Sequence, residues 1–314
     1  MRKTVLSLLT LAIVTTASLY LAKFPPENVL VPKSAQTLRH APRKRAPEAI
    51  SIASFNIQAF GETKLAKPRV MEVLTAVVRQ FDIVAVQEIR AKHADVLPRF
   101  VALINQDGSQ YDYVLGPRLG RTTSKEQYAF IYDTTRVNID RGTVYTVDDP
   151  ADRLHREPLV TRFSARTSSN PFTFTLVDIH TDPDEVRSEV AALSDVFRAV
   201  QNDGTREDDV ILLGDLNADE NHLGQLARLS HIATAIRGQP TNTRGTHAYD
   251  NLVFDTKATT EFTGRSGVYD LIRELGLSLE EALQVSDHFP VWAEFAVHEG
   301  TIGPTAARPA SPKR

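Results

Sequence analysis

The stretch Ser54-Phe55-Asn56-Ile57-Gln58-Ala59-Phe60-Gly61-Glu62-Thr63-Lys64 is where an apolar run of strand length gives way to an amide, a glycine and charged groups. Residues 65–80 then carry apolar positions at helical spacing. The same event recurs along the chain. Glu88 closes the run Ile83-Val84-Ala85-Val86-Gln87, His180 closes the run 172–179, and Asp215-Leu216-Asn217 follows Val210-Ile211-Leu212-Leu213-Gly214. Lys125-Glu126-Gln127-Tyr128, Tyr249-Asp250 and Ser286-Asp287-His288 also stand beside strand-length runs. Polar groups at the ends of separate strands can meet at one rim of a sheet, where loops carry function.

Outward from this stretch, strands are expected at 49–57, 82–87, 111–116, 127–132, 137–147, 158–163, 172–179, 210–214, 249–255 and 289–297. Helices are expected at 65–80, 93–106 and 184–200. So many neighbouring strands in mixed order point to an α/β fold with two sheets packed face to face and covered by helices. They exclude a simple parallel, doubly wound sheet. No internal repeat of solenoid period is present. Residues 49–298 read as one domain, large enough to bury its own core. Prolines and charges mark 24–48 as a linker, and Pro, Ala and Ser mark 299–314 as a tail.

The chain has 314 residues and no cysteine. That excludes disulfides, thiolate metal sites and a cysteine nucleophile, so any metal is held by oxygen and imidazole ligands. Mg²⁺, Mn²⁺ and Ca²⁺ suit such donors better than structural zinc does. A net charge of −3 offers no bulk attraction for nucleic acid, and the basic cluster at 33–45 reads as a solvated linker. Arg2 and Lys3 precede an apolar run over 5–22. Residues 1–23 therefore read as an export signal, with an uncleaved membrane anchor as the alternative because Tyr20-Leu21-Ala22 is a poor cleavage pattern. Either way the domain is expected outside the cytoplasm, secreted, periplasmic or tethered.

The polar series has a chemical logic. Mg²⁺ commonly takes one or two protein carboxylates and keeps other positions for water and phosphate, which makes Glu88 the leading metal ligand. Asp215 and Asn217 are two residues apart, so an extended backbone would send both side chains to one side. There they could orient a water and hold phosphate oxygens, although Asp and Asn after a strand are also ordinary turn formers. Hydrolysis of a phosphodiester needs one group to take a proton and another to give one. His180 and His288 suit that exchange near neutral pH, with Glu126 and Asp250 available as orienting carboxylates.

With these residues placed, the chain resembles the endonuclease/exonuclease/phosphatase superfamily, and within it the deoxyribonuclease I-like branch. The resemblance runs through nearly all of 50–298. It rests on the residues 55–64 quoted above, Asp82 through Arg90, Lys125-Glu126-Gln127-Tyr128, Arg156-Glu157-Pro158, Ala248-Tyr249-Asp250 and Ser286-Asp287-His288-Phe289-Pro290-Val291. It implies a four-layer α/β-sandwich of two mixed sheets flanked by helices. It also implies a monomer that hydrolyses DNA with Mg²⁺, leaves 5′-phosphates and has little sequence preference. By the same resemblance Glu126 pairs with His180, Asp250 pairs with His288, and Glu88 holds the metal. Asn56, Asp215 and Asn217 would position metal, water and phosphate, with Asp287 at the metal or at a second phosphate site. Arg90 is similar to an arginine that enters the minor groove, and Arg156 to one that contacts the phosphate backbone.

Some positions depart from the family pattern. Glu220 and His247 stand where animal members carry a disulfide, and the loop after Asp149 is short and cysteine-free. Ser124 replaces a tyrosine that stacks in the minor groove, and Gln239 replaces a calcium-binding aspartate. Structural calcium and groove anchoring are therefore expected to be weakened. The same residue set also serves phosphoinositide or phospholipid phosphatases and toxin subunits of the cytolethal distending type, which form the alternative reading. A non-catalytic scaffold is disfavoured because no position of the set is substituted.

Overall fold

Ile83-Val84-Ala85-Val86 is β-branched or small at every position and buried on both faces, so it forms an interior strand covered above and below. The strands around it build two sheets of six. A computed structural model describes residues 45–123 and 125–301, all of which belong to one compact unit. The segment 1–23 read as an export signal or anchor, the linker up to residue 44, Ser124 and residues 302–314 lie outside the described residues. Among those described, no helix is long and apolar enough to cross a membrane.

The first sheet contains β1 (Ala49–Phe60), β2 (Ile83–Ile89), β3 (Tyr111–Leu115), β4 (Gln127–Asp133), β11 (Phe262–Val268) and β12 (Val291–Ala296), in the order β11-β12-β1-β2-β4-β3. The second contains β5 (Val137–Thr146), β6 (Leu159–Ala165), β7 (Thr173–His180), β8 (Val210–Asp215), β9 (Ile232–Thr234) and β10 (Asp250–Asp255), in the order β5-β6-β7-β8-β10-β9. Each sheet has one central parallel pair, β1 with β2 and β7 with β8. Both parallel pairs end toward the same rim.

Three apolar layers fix the order of the sandwich. Ile50, Ile52, Phe130, Phe163, Phe174 and Phe295 fill the space between the sheets. Helices α1 (Glu62–Leu65), α2 (Pro68–Val78), α3 (Val96–Ile104), α5 (Leu271–Leu275) and α6 (Leu279–Val285) contribute to a second cluster on the outer face of the first sheet. Helix α4 (Val186–Gln201) covers the second sheet through Val190, Leu193 and Phe197. This is the expected two-sheet α/β-sandwich.

Several boundaries differ from the sequence reading. The helix expected over 65–80 begins at Pro68, because Lys67 before the proline is held extended (φ −99°, ψ 100°) and a separate single turn precedes it. Strand β1 runs on to Phe60. Strands β9 and β11 and helices α5 and α6 were not anticipated. Helix α6 carries a capping box, Ser278 with Glu281, that marks its start. Strand β11 is largely exposed or half-buried and contains two glycines, which weakens its strand pattern.

Candidate active site

The rim is built where β1 and β2 leave regular pairing. The β1–β2 register shifts between Asn56 and Phe60, and the β2–β4 register shifts between Val86 and Ile89. Gln58, Ala59 and Glu88 adopt φ of 42°, 48° and 61°, left-handed values that cost non-glycine residues about 1 kcal/mol or more each. The bulges turn Glu88 onto its neighbours: its Oε2 accepts the Ala59 amide at 2.8 Å and its Oε1 accepts Asn56 Nδ2 at 3.2 Å. Asn56 Nδ2 also donates to Asp215 Oδ2 at 3.0 Å. One side-chain amide thus joins a carboxylate of each sheet.

The second sheet contributes through register. His180 on β7 and Asp250 on β10 both pair with Asp215 on β8, so three chemistry-bearing residues stand in a row across adjacent strands. Gly214 makes the approach possible. Its φ is 149°, and a Cβ there would lie 1.8 Å from the Ile179 carbonyl oxygen.

The two imidazoles are arranged alike. His180 Nδ1 lies 2.7 Å from Glu126 Oε1, and His288 Nδ1 lies 2.8 Å from Asp250 Oδ2. Each Nε2 lies 3.5 Å from the same atom, Asp215 Oδ2. Burial opposes charge on His288, but Asp250, Asp215 and Asp287 outweigh it and push its pKa up to about 10. His180 also moves up: burial opposes, Asp215 and Glu126 raise it, and Arg156 works the other way. Burial would raise Glu126, yet His180, Arg156 and Arg90 hold it below its ordinary value.

The remaining expected residues sit around this centre. Arg90 Nη2 bridges Glu88 Oε2 at 3.1 Å and Glu126 Oε2 at 3.5 Å. Arg156 is nearly buried, its Nε 3.1 Å from Glu126 and its Nη1 donating to the His180 carbonyl, which leaves little of it for a ligand. Asp287 is exposed at the rim. Of the two readings of Asp215-Leu216-Asn217, extended backbone or turn, the structure has the turn. Asn217 has φ 47°, its amide closes a turn on Asp215 Oδ1 at 3.0 Å, and its side chain donates to the Thr181 carbonyl at 2.9 Å. The Asp-x-Asn tripeptide is a turn former and a rim residue at once. At the lost disulfide positions, Glu220 accepts the Gly238 amide at 2.8 Å and His247 stacks on Tyr249.

Several supports were not singled out from the sequence. Lys64 Nζ donates to the Ile57 and Val285 carbonyls, each at 2.8 Å, and to the Gln58 carbonyl. Burial pulls its pKa down to about 8. An ammonium nevertheless has one hydrogen for each of the three acceptors, and a neutral amine would leave one unserved, so the charged form fits the geometry. Glu62 accepts the Lys92 and His93 amides and fixes the segment after Arg90. Ser286 Oγ donates to the Asn56 carbonyl at 2.6 Å, and Thr241 Oγ1 donates to Asp250 at 2.6 Å. Beneath the rim, Gln87 Nε2 donates to the buried Asp178 at 2.6 Å and ties the sheets together.

The donor set suits a hard divalent cation. Glu88 and Asp215 present carboxylate oxygens to one shared amide, and that amide offers no charge to offset them. Asp215, Asp250 and His288 also bring one ligand atom each within 4.8 Å. There, however, Asp250 Oδ2 is already engaged by His288 and by Thr241. The Glu88 oxygens are likewise engaged, by Asn56, Ala59 and Arg90, so both groupings are candidate cation positions.

The model of the endonuclease/exonuclease/phosphatase family matches residues 53–288. Pig deoxyribonuclease-1-like 1 is 35% identical over 265 residues, 80% of this chain and 83% of the relative. Bovine deoxyribonuclease-1 is 32% identical over 77% of this chain and 91% of its own length. The chain belongs to this family, in its deoxyribonuclease I-like branch. Solved structures of family members share the fold: the human Nocturnin catalytic domain superposes with a TM-score of 0.54 at 16% identity, covering 79% of this chain and 94% of that one. Zebrafish TDP2 complexed with a single-strand DNA product gives 0.56 at 14% identity, covering 79% and 99%. Across the deoxyribonuclease I-like relatives the likeness spans most of each chain.

Proposed function

We propose that this family member is a divalent-metal-dependent endonuclease that hydrolyses DNA phosphodiesters to 5′-phosphate ends with low sequence preference. The observation that carries the reading is the pair of imidazoles facing one carboxylate oxygen, each backed by its own carboxylate. A water proton passes to one Nε2 as the water oxygen bonds to phosphorus, and the other Nε2 gives its proton to the leaving 3′ oxygen as that bond breaks. Glu126 and Asp250 hold the rings in register and stabilise them when charged. Asn56 and Asn217 orient the water and phosphate oxygens beside Asp215. Held by Glu88 with Asn56, Asp215 and Asp287, Mg²⁺ or Mn²⁺ would draw charge from the phosphate and offset the Asp215 field at both rings. Arg90 and Arg156 supply positive charge next to Glu126, with Arg90 the more open to a groove. The apolar run at 5–22 after Arg2 and Lys3 supports export of the domain.

Relaxation of supercoiled plasmid tests this directly. With Mg²⁺ or Mn²⁺ the full chain is expected to convert it to nicked circles that a ligase can reseal, and with chelator to leave it intact. Release of phosphate from a phosphoinositide, with no nicking, would replace this reading by a lipid phosphatase.

Lys64 acts in this scheme as a positioning residue, since it ties the left-handed turn after Asn56 to the turn before His288. Lys64→Met is expected to lower the nicking rate by about 10²-fold and stability by roughly 2–4 kcal/mol, as three buried carbonyls lose their donor. Lys64→Arg should not restore the rate, because a planar fork cannot serve three converging oxygens. A fully active Lys64→Met enzyme would remove this role.

A further inference from the structure

At the end of the sheets away from this rim, four acidic side chains converge with no basic partner forming an ion pair among the described residues. Asp209 directly precedes β8, Glu261 directly precedes β11, and Glu299 lies three residues beyond β12. Asp209, Glu261 and Glu299 each bring a carboxylate oxygen within 4.8 Å of the others. Glu207 adds its charge nearby, its Oε1 accepting the Asp209 amide at 3.0 Å. Asp209 is 4% exposed and Glu261 1%.

The second observation is a set of buried oxygens left without hydrogen bonds. Asp209 Oδ1 and Glu261 Oε2 have no hydrogen-bond partner, and the hydroxyl of Thr259, 1% exposed, lies against the Asp209 carboxylate. The other carboxylate oxygens are fixed in place. Glu261 Oε1 accepts the Gly300 amide at 2.6 Å, and Glu299 Oε1 accepts the Thr173 amide at 2.7 Å and its hydroxyl at 3.1 Å. Burying unpaired oxygens costs roughly 1–3 kcal/mol each and more for charged groups, so such a cluster calls for a counter-charge.

We propose that Asp209, Glu261, Glu299 and the Thr259 hydroxyl form a second divalent-cation site, selective for Ca²⁺ over Mg²⁺. Ca²⁺ accepts six to eight oxygens at about 2.3–2.6 Å in irregular geometry, so ligands on opposite sides of it stand about 5 Å apart, and oxygens that all lie within 4.8 Å of one another can share one such ion. Carboxylates plus a hydroxyl, gathered from three chain segments, match that tolerance better than the octahedral demand of Mg²⁺. The bound ion would link the start of β8 in the second sheet to the start of β11 and the end of the first. A chain without a cysteine thereby gains a cross-link between its sheets.

Thermal unfolding of the full chain as Glu88→Gln, which weakens the rim site, isolates the second one. With free Ca²⁺ at about a hundred times Kd, Tm is expected to rise by roughly 5 °C or more over chelator, and by less with Mg²⁺. Adding Asp209→Asn or Glu261→Gln should abolish the Ca²⁺ response while leaving Tm in chelator equal or higher, because repulsion is relieved. Should one double variant fail to fold, the other and Glu299→Gln carry the comparison. Absence of a Ca²⁺ shift in Glu88→Gln overturns the proposal, as does a shift that survives all of these substitutions or a larger response to Mg²⁺. A Tm that rises only on acidification, with no metal response, also overturns it and leaves a cluster held by a proton.

Discussion

His180→Ala and His288→Ala are each expected to lower plasmid nicking by at least about 10³-fold, the scale of a general acid–base contribution, while the domain stays folded. The rate loss follows because each ring stands between its own carboxylate and Asp215 Oδ2. Retention of the fold follows from what is left behind. After His180 is removed, Glu126 keeps Arg156 at 3.1 Å and Arg90 at 3.5 Å, so its charge is not stranded. After His288 is removed, Asp250 keeps only the Thr241 hydroxyl, but burial and Asp215 already raise its pKa, and it can take up a proton instead. His288→Ala is therefore the less stable of the two, and the gap should widen as pH rises. Nicking rates with Tm measured alongside check both halves; a folded variant within tenfold of the parent rate would remove that histidine from the mechanism.

Gly214→Ala is expected to cost more than about 4 kcal/mol and to lower Tm by roughly 10 °C or more, or to prevent folding. The added methyl would meet a backbone oxygen at 1.8 Å and a backbone carbon at 2.8 Å, both of Ile179, and neither belongs to a side chain that can swing away. Relief would require β7 and β8 to part. That would separate His180 from Asp215, which are register partners one residue further on, so any folded fraction should also be slow. A Tm within 3 °C of the parent would mean that the strand approach is softer than the geometry implies.

The sequence was most legible where one physical signal acts alone. Continuous apolar runs such as 83–86 and 210–213 gave the interior strands, and the polar residue ending each run gave the rim. Less legible were features decided by distant contacts. Strand β11 is marginal by composition and pairs with β12 because the sheet edge is there to receive it. The left-handed turns at Gln58, Ala59 and Glu88 have no glycine to announce them. They are held by Lys64, Asn56 and Glu88 after the chain has folded. Spacing alone left Asn217 open between an extended backbone and a turn, because it cannot reveal φ. The capping box at Ser278 and Glu281 was readable and would have located α6. The acidic cluster at Asp209 could not be seen in advance, since Asp209, Glu261 and Glu299 come from three separate segments of the chain.

The order of strands in the first sheet has a consequence for when the protein can act. Strand β12, the last strand in chain order among the described residues, does not add to an edge but inserts between β11 and β1. His288 lies just before it. Ser286 reaches back 230 positions to Asn56, and Lys64 reaches forward 221 to Val285. A growing chain that has not reached this strand has one imidazole, an open sheet and no rim. On the proposed activity, a cell making this protein holds no working copy until synthesis has passed β12, and loop closure over such separations comes late in folding. Topology thus acts as a timer for a DNA-cleaving product, delaying activity through the order in which the site's pieces leave the ribosome.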